Sequence, residues 1–208
     1  MTEINLHLGD CMEAMAKMED NAYDLAIVDP PYGIGNFNHR DHYDKPKWEY
    51  DWNDSIPSQE YFNELKRVTK EQIIWGANYY NCFSDKGGAI IWYKDVKHPN
   101  MSKCEIASYS RLKKVDFYRY DWSNTDKYNE LRGTDIHPCE KPVALYKWLL
   151  KNYAKDGDKI LDTHLGSGSI AIACHDGGFA LDAWEIDEEY YTLALNRFNT
   201  HKKQLRLL

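Results

Sequence analysis

Along this chain the apolar residues keep time first with a strand and then with a helix, and the alternation repeats to the C-terminus. Ile4–Leu8 reads as a strand, and Cys11–Met18 as a short amphipathic helix with Met12 and Met15 on its apolar side. The apolar run in Leu25–Asp29 predicts a buried strand leading straight into Pro30 and Pro31. Ser58 is placed to cap a helix reaching about Val68, because Tyr61, Phe62, Leu65 and Val68 share one face. Gln72–Trp75 and Ala89–Trp92 predict further strands, Cys104–Trp122 a β-rich stretch, and Val143–Tyr153 a helix after the Pro-punctuated segment Ile136–Pro142. The last quarter predicts a strand over Lys159–Asp162, a glycine turn, a helix to about His175, a strand over Phe179–Glu185 and a helix over Asp187–Phe198. This order predicts an α/β fold: one doubly wound, mostly parallel sheet with right-handed crossovers, in a single domain spanning 1–208.

Residues 33–57 have no sustained period and carry Gly33, Gly35, Pro46 and Pro57, which predicts a long functional loop. Lys45, Lys47, Trp48, Tyr50 and Trp52 within it read either as a lid over a ligand or as a loop packed on its own aromatics. His39 and His42, with Asp41 and Asp44, sit in the same irregular stretch and read as solvated or ligand-facing side chains, so no metal is expected. Five scattered cysteines without a C-x-x-C pair exclude a disulfide scaffold and a structural zinc site. Cys11 and Cys174 occupy apolar helix positions. No run is long and apolar enough to cross a bilayer, and Met1–Asn5 lacks signal-peptide character, so a soluble cytoplasmic protein is expected.

The net charge of −7 argues against a nucleic-acid partner until its distribution is considered. Between Lys86 and Tyr120 eight basic residues stand against three acidic ones, Asp95, Glu105 and Asp116. The basic set includes Lys94, Lys97, Lys103, Arg111, Lys113, Lys114 and Arg119. A DNA-facing surface and an ordinary solvated face both fit this feature.

Two motifs carry chemistry. In Asp162-Thr163-His164-Leu165-Gly166-Ser167-Gly168-Ser169, small residues sit where a strand gives way to a helix, so backbone N–H groups can approach a ligand closely. Glu185 ends the next strand, 17 residues after Gly168, where a carboxylate can accept the hydrogens of a ribose diol. The Gly166-x-Gly168-x-x-Ala171 spacing also suits a dinucleotide, which keeps a nicotinamide oxidoreductase open as an alternative. Asp162 before the turn suits an ammonium group better than a pyrophosphate, and only 23 residues follow Glu185, too few for a second mononucleotide half. An adenosyl amino acid fits better.

The second motif is Asp29-Pro30-Pro31-Tyr32. Proline holds the chain extended beyond the strand and lacks an N–H, so the Pro30 carbonyl can face outward beside the Asp29 carboxylate. Two adjacent acceptors suit an exocyclic amino group, and Tyr32 offers a ring for the base that bears it.

Together these motifs resemble the amino-methyltransferases of DNA. Asp29–Tyr32 resembles their catalytic motif, Asp162–Ser169 their cofactor loop, and Glu185-Ile186-Asp187 the acidic strand end after it. His137-Pro138-Cys139-Glu140-Lys141-Pro142 is similar to the segment His-Pro-Thr-Gln-Lys-Pro before that loop. The catalytic motif precedes the cofactor loop, as in the β class, and Trp75-Gly76-Ala77-Asn78-Tyr79-Tyr80 resembles phage and prophage members. Thr163-His164 stands where the family has Pro-Phe, and Cys139-Glu140 where it has Thr-Gln.

The resemblance implies a Rossmann-like fold and S-adenosyl-L-methionine as cofactor. It further implies DNA as substrate, in a bacterial or phage-infected cell and in a restriction-modification setting. Asp29, Pro30, Pro31 and Tyr32 would be catalytic. The implied cofactor set is Asp10, Cys11, Asp29, Lys141, Asp162, His164, Gly166, Ser167, Gly168, Ser169, Glu185 and Ile186. In it Lys141 would take the cofactor carboxylate, Asp162 its ammonium, Glu185 the ribose, and Asp10 would lie near the adenine. An aspartate opening the catalytic motif favours adenine N6 in this family, with cytosine N4 and a silent nucleic-acid-binding relative as alternatives. DNA recognition would fall to the segment 94–132, assisted by the 33–57 loop. His137 reads as structural, a homodimer is compatible with so small a recognition region, and a nuclease partner is not readable from the chain.

Overall fold

The computed structural model describes residues 2–34, 55–94, 102–122 and 140–204. Among them the strands are β1 (Ile4–Leu8), β2 (Tyr23–Val28), β3 (Thr69–Trp75), β4 (Ala89–Tyr93), β5 (Cys104–Tyr109), β6 (Val115–Arg119), β7 (Lys159–Asp162) and β8 (Ala180–Glu185). The helices are α1 (Cys11–Met15), α2 (Gln59–Val68), α3 (Ala77–Tyr80), α4 (Val143–Tyr153), α5 (Ser169–Gly177) and α6 (Glu188–Lys203). All the strands join one sheet, ordered β1-β8-β7-β2-β3-β5-β4-β6.

The α/β class and the mostly parallel sheet agree with the sequence expectation. The strands from β1 across to β3 pair in parallel. From β7 the chain proceeds outward to β8, and from β2 it proceeds the opposite way to β3. The carboxyl ends of β7 and β2 therefore meet at the switch point, where doubly wound sheets bind ligands. One strand departs from the pattern: β5 runs antiparallel to both β3 and β4, while β6 is parallel to β4. Reversal brings the start of β5, not its end, to the carboxyl edge of the sheet.

Strand β2 shows why this edge is rigid. Alternate side chains point to opposite faces of a strand. Leu25 and Ile27 enter a core with Trp75, Trp92, α4 and α5. Ala26 and Val28 enter another with Met15, Tyr61, Phe62 and Leu65. Both faces are covered, so the continuous apolar reading of this strand holds. Helix α2 follows its predicted course: the Ser58 hydroxyl accepts the Tyr61 N–H at 3.3 Å, and Tyr61, Phe62, Leu65 and Val68 are buried. It passes into β3 at Thr69 without a loop, and the Thr69 hydroxyl donates to the Leu65 carbonyl. Arg67 secures α2 by donating to the Met15 and Met18 carbonyls at the end of α1.

Several boundaries differ from expectation. Helix α1 stops at Met15, three residues early, and the β-rich stretch resolves into β5 and β6. Helix α6 runs five residues beyond Phe198, to Lys203, because His201 contacts Asp176 on α5 at 2.9 Å. Gly33 and Ile56 pack together, so a Cβ on Gly33 would lie 2.7 Å from Ile56 Cγ2, and the two ends of the 33–57 segment meet. His39, Asp41, His42, Asp44, Lys45, Lys47, Trp48, Tyr50, Trp52, Lys97, Arg132, His137, Pro138 and Cys139 lie outside the described residues. None of the described helices is long and apolar enough to cross a membrane.

Candidate active site

Asp29 follows the last residue of β2, Asp162 ends β7, and Glu185 ends β8, so three carboxylates line the carboxyl edge beside the switch point. Glu105 joins them from the start of the reversed strand β5, where it pairs in register with Trp92.

Around Asp29 the described polar atoms interlock. The Tyr32 hydroxyl lies 2.7 Å from Asp29 Oδ1 and 3.2 Å from Glu105 Oε2, and its one proton serves both. Lys141 Nζ donates to Asp29 Oδ2, lies 3.1 Å from Glu105 Oε2 and 3.1 Å from the Tyr32 hydroxyl. Lys94 Nζ holds the other Glu105 oxygen at 2.8 Å. The Lys141 ammonium also lies 5.6 Å from the Tyr32 ring centroid and 5.5 Å from that of Trp75. Burial would discharge Lys141, but Asp29 and Glu105 outweigh it and hold the ammonium well charged. Burial likewise pushes Glu105 up, yet Lys141 and Lys94 prevail and set its carboxyl at about 2. At Asp29 burial wins. Its carboxyl stands above the ordinary range, with Glu105 adding to the rise and Lys141 opposing it.

The Pro30 carbonyl, in the segment that follows β2, accepts a side-chain donor. Tyr80 donates to it at 2.5 Å and to the Pro31 carbonyl at 2.8 Å. Each acceptor retains a second lone pair. The Tyr32 ring stacks on Tyr79, with centroids 5.0 Å apart. Gly76 makes that position attainable: its φ is +75°, and a Cβ there would stand 2.4 Å from Tyr32 Cε1. The segment Trp75–Tyr80 thus builds the wall behind Tyr32.

The glycine turn forms the second half of the site. Gly168, in the left-handed conformation at φ +76°, precedes α5 and packs where a Cβ would lie 3.2 Å from Ala194 Cβ. The Gly166 N–H donates to Glu185 Oε2 at 2.8 Å, and the Asp187 N–H to Oε1 at 3.1 Å. Asp162 is 1% exposed and accepts the His164 N–H at 3.0 Å. Burial, with Asp29 and Glu185 nearby, pushes its carboxyl up to about 8. A desolvated carboxylate of this kind gains from any cation that reaches it. Ile186, 71% exposed, offers an apolar surface next to Glu185. Asp10 caps α1 by accepting the Met12 N–H at 2.7 Å, and burial raises the adjacent Cys11 thiol to about 12.

The departures from the family pattern have local partners. Thr163 and His164 form a chain: Tyr61 Oη to Thr163 Oγ1 is 2.7 Å, and Thr163 Oγ1 to His164 Nδ1 is 2.9 Å. Burial lowers His164 to about 4, so it is a neutral ring at neutral pH. Glu140 pairs with Arg197 of α6 at 2.5 Å, and Arg197 also donates to the Ser167 carbonyl and to Ser169 Oγ, each at 3.0 Å. The residue that replaces glutamine in the Lys141 segment therefore ties that segment to the glycine turn.

The structure brings together the expected residues at the ends of β2, β7 and β8, with two differences. Lys141, expected to face the cofactor carboxylate, faces Asp29 and Glu105. Lys94, grouped with the DNA-facing cations, is 14% exposed and turned inward to Glu105. Lys103, Lys113, Lys114, Arg111 and Arg119 are exposed, although Arg111 pairs with Glu71 at 3.0 Å and Lys114 with Asp116 at 3.6 Å. Glu105, Tyr79 and Tyr80 escaped the sequence reading. The tyrosines belong to a segment whose sequence signal is a family resemblance and no chemistry of its own, and Glu105 is one negative charge in a basic stretch. Among the described residues one group has metal-ligating composition, His175, Asp176 and His201. Lys147 at 2.7 Å from Asp176 Oδ2 already supplies the positive charge there.

The DNA methylase family model N6_N4_Mtase matches residues 76–196, from before α3 into α6. The chain belongs to this family. Family membership sets aside the nicotinamide oxidoreductase. The Type II methyltransferase M2.MboI of Moraxella bovis is 26% identical over 246 residues, covering 95% of this chain and 88% of that protein. The crystal structure of the M1.HpyAVI–SAM complex superposes with a TM-score of 0.59 at 17% identity, covering 93% of this chain and 99% of the other. The cytosine-N4-specific PvuII DNA methyltransferase superposes with a TM-score of 0.64 at 12% identity, covering 100% and 89%. The Rossmann-like methyltransferase fold is thereby shared.

Proposed function

We propose that this DNA methylase transfers a methyl group from S-adenosyl-L-methionine to N6 of an adenine flipped out of DNA. The observation that carries the reading is the pair of oxygen acceptors, Asp29 and the Pro30 carbonyl, held at the end of β2 next to the buried Asp162 at the end of β7.

The cofactor fits the residues present. Asp162 is a buried carboxylate suited to an ammonium, Glu185 stands at the strand end suited to a ribose, and Ile186 offers apolar surface to a purine. When bound, the cofactor supplies an electrophilic methyl on a sulfonium. Adenine's amino lone pair is delocalised into its ring, so the amine is a weak nucleophile. Asp29 and the Pro30 carbonyl accept its hydrogens, favour a pyramidal nitrogen and stabilise the positive charge that grows on it. Tyr32, fixed by Tyr79 and by its bond to Asp29, presents a ring to the flipped base, and this stacking offsets a few kcal/mol of unstacking from the duplex. Asp29, raised by burial, is the nearby carboxylate able to accept the proton the nitrogen releases. Lys141 serves as the counter-charge to Asp29, the part its position supports.

Adenine rather than cytosine rests on the aspartate at position 29, which the family resemblance associates with adenine. Contact with the DNA backbone would come from the exposed Lys103, Lys113 and Arg119, with Lys97 and the rest of the 94–132 segment extending it. Mass spectrometry of nucleosides, after unmethylated DNA is incubated with isotopically labelled S-adenosylmethionine, tests the reading. Labelled N6-methyladenine is expected. Labelled N4-methylcytosine would overturn the choice of base, and absence of label the activity itself.

A further inference from the structure

Glu105 is a carboxylate with two lysines on it, set beside a second carboxylate that the reaction needs ionised. Its side chain is 20% exposed, Lys94's 14% and Lys141's 3%. With all four groups charged, Asp29, Glu105, Lys94 and Lys141 balance to zero. Lys141 is the hinge of this arrangement, because one ammonium is divided between Asp29 Oδ2 and Glu105 Oε2. Were the whole ammonium committed to Asp29, the carboxylate would be ionised but a poor acceptor for a hydrogen-bearing, increasingly positive nitrogen. Were it withdrawn, burial would leave Asp29 protonated.

We propose that Glu105 is a positioning residue for methyl transfer: it draws part of the Lys141 ammonium off Asp29, so that Asp29, kept charged by the share it retains, stays able to accept the target amine. The inference rests on the proposed reaction for its meaning, and its physical core is testable without that reaction. The topology supports it: among the described strands, antiparallel β5 alone delivers a side chain to this edge from its N-terminal end. Among the described residues, the other groups that face Asp29 are the hydroxyls of Tyr32, Tyr80 and Tyr146 and the more distant carboxyl of Asp162. Among the described groups Lys141 is the direct cation at Asp29, and Lys94 acts through Glu105.

The signs are opposite for the two neighbours. Glu105→Gln keeps shape and an acceptor but removes a negative charge, so Asp29 should titrate at lower pH. Lys94→Met removes a positive charge, so Asp29 should titrate at higher pH. Carboxyl-carbon NMR of Asp-labelled protein reads both, each expected to move by about one pH unit. In the methylation assay the acid limb of kcat should move the same two ways. Plateau kcat of Glu105→Gln should fall about tenfold or more, with KM for S-adenosylmethionine changed less than about threefold, since the affected group acts on the transition state. An unmoved Asp29 titration in both folded variants overturns the proposal, as does a Glu105→Gln enzyme with wild-type kcat and pH profile. If Glu105→Gln fails to fold, the direction of the Lys94→Met shift decides. A moved titration in a protein without methylation activity would uphold the charge division and overturn the proposed reaction instead.

Discussion

Residue by residue, the site is decided by which charges burial tolerates. Asp162 illustrates this. Its folded carboxyl titrates at about 8, above the roughly 3.9 of an exposed aspartate, so the folded state binds the extra proton. Stability from this group is therefore greatest at low pH and declines as pH rises from about 4 through 8. A ligand ammonium reverses the preference. Binding of S-adenosylmethionine at pH 7 should expel close to one proton from the protein, seen by calorimetry in buffers of different ionisation enthalpy, and Asp162→Asn should abolish the release. Gly76 makes a steric counterpart. Gly76→Ala puts a Cβ into Tyr32 and imposes a left-handed conformation costing about 1–2 kcal/mol. The variant should stay folded with a lower melting temperature in differential scanning calorimetry, and lose most of its turnover because Tyr32 must move.

At the scale of elements, the end of α5 is fastened to its neighbours through one carboxylate. Asp176 accepts His201 Nε2 from α6 at 2.9 Å and Lys147 Nζ from α4 at 2.7 Å. Its own burial is outweighed by these donors, so its carboxyl sits well below the ordinary aspartate value. Stability from the clamp is present above about pH 4 and disappears as pH falls toward the lower folded value. Asp176→Asn should cost about 1–2 kcal/mol at pH 7 and almost nothing at strongly acid pH, measured by urea unfolding at both. Elements were legible where period and caps agreed. Ser58 with its four apolar partners predicted α2, and the glycine turn and Glu185 predicted the β7-α5-β8 unit. The reversal of β5 was not legible. A strand's apolar pattern is the same in either direction, so the sequence around Cys104 could not say which end meets the active edge.

For the whole molecule, an acidic chain that acts on DNA must confine its positive charge. Lys103, Lys113 and Arg119 are exposed on and around β5 and β6, whereas Lys94 is withdrawn into the site. Counting cations along the sequence does not reveal this division, because the direction of a side chain depends on its partner. Replacing Lys113 by Gln should weaken DNA binding about equally for different sequences and reduce the slope of log K against log salt by about one, as loss of a phosphate contact does. An unchanged slope would remove Lys113 from the interface. The same logic separates the halves of the active site: Asp29 and Asp162 were legible because each stands at the end of its strand in a recognisable motif. Glu105 arrives from a strand with no motif at all, and only the folded sheet places it there.

Single-turnover methyl transfer by Asp29→Asn, with S-adenosylmethionine affinity measured on the same preparation, tests the central claim most directly. The amide keeps the shape of the carboxylate and removes its charge. The rate should fall by about 10²–10³-fold or more with cofactor affinity within about threefold of wild type. A variant that transfers the methyl group within about threefold of the wild-type rate would contradict the account.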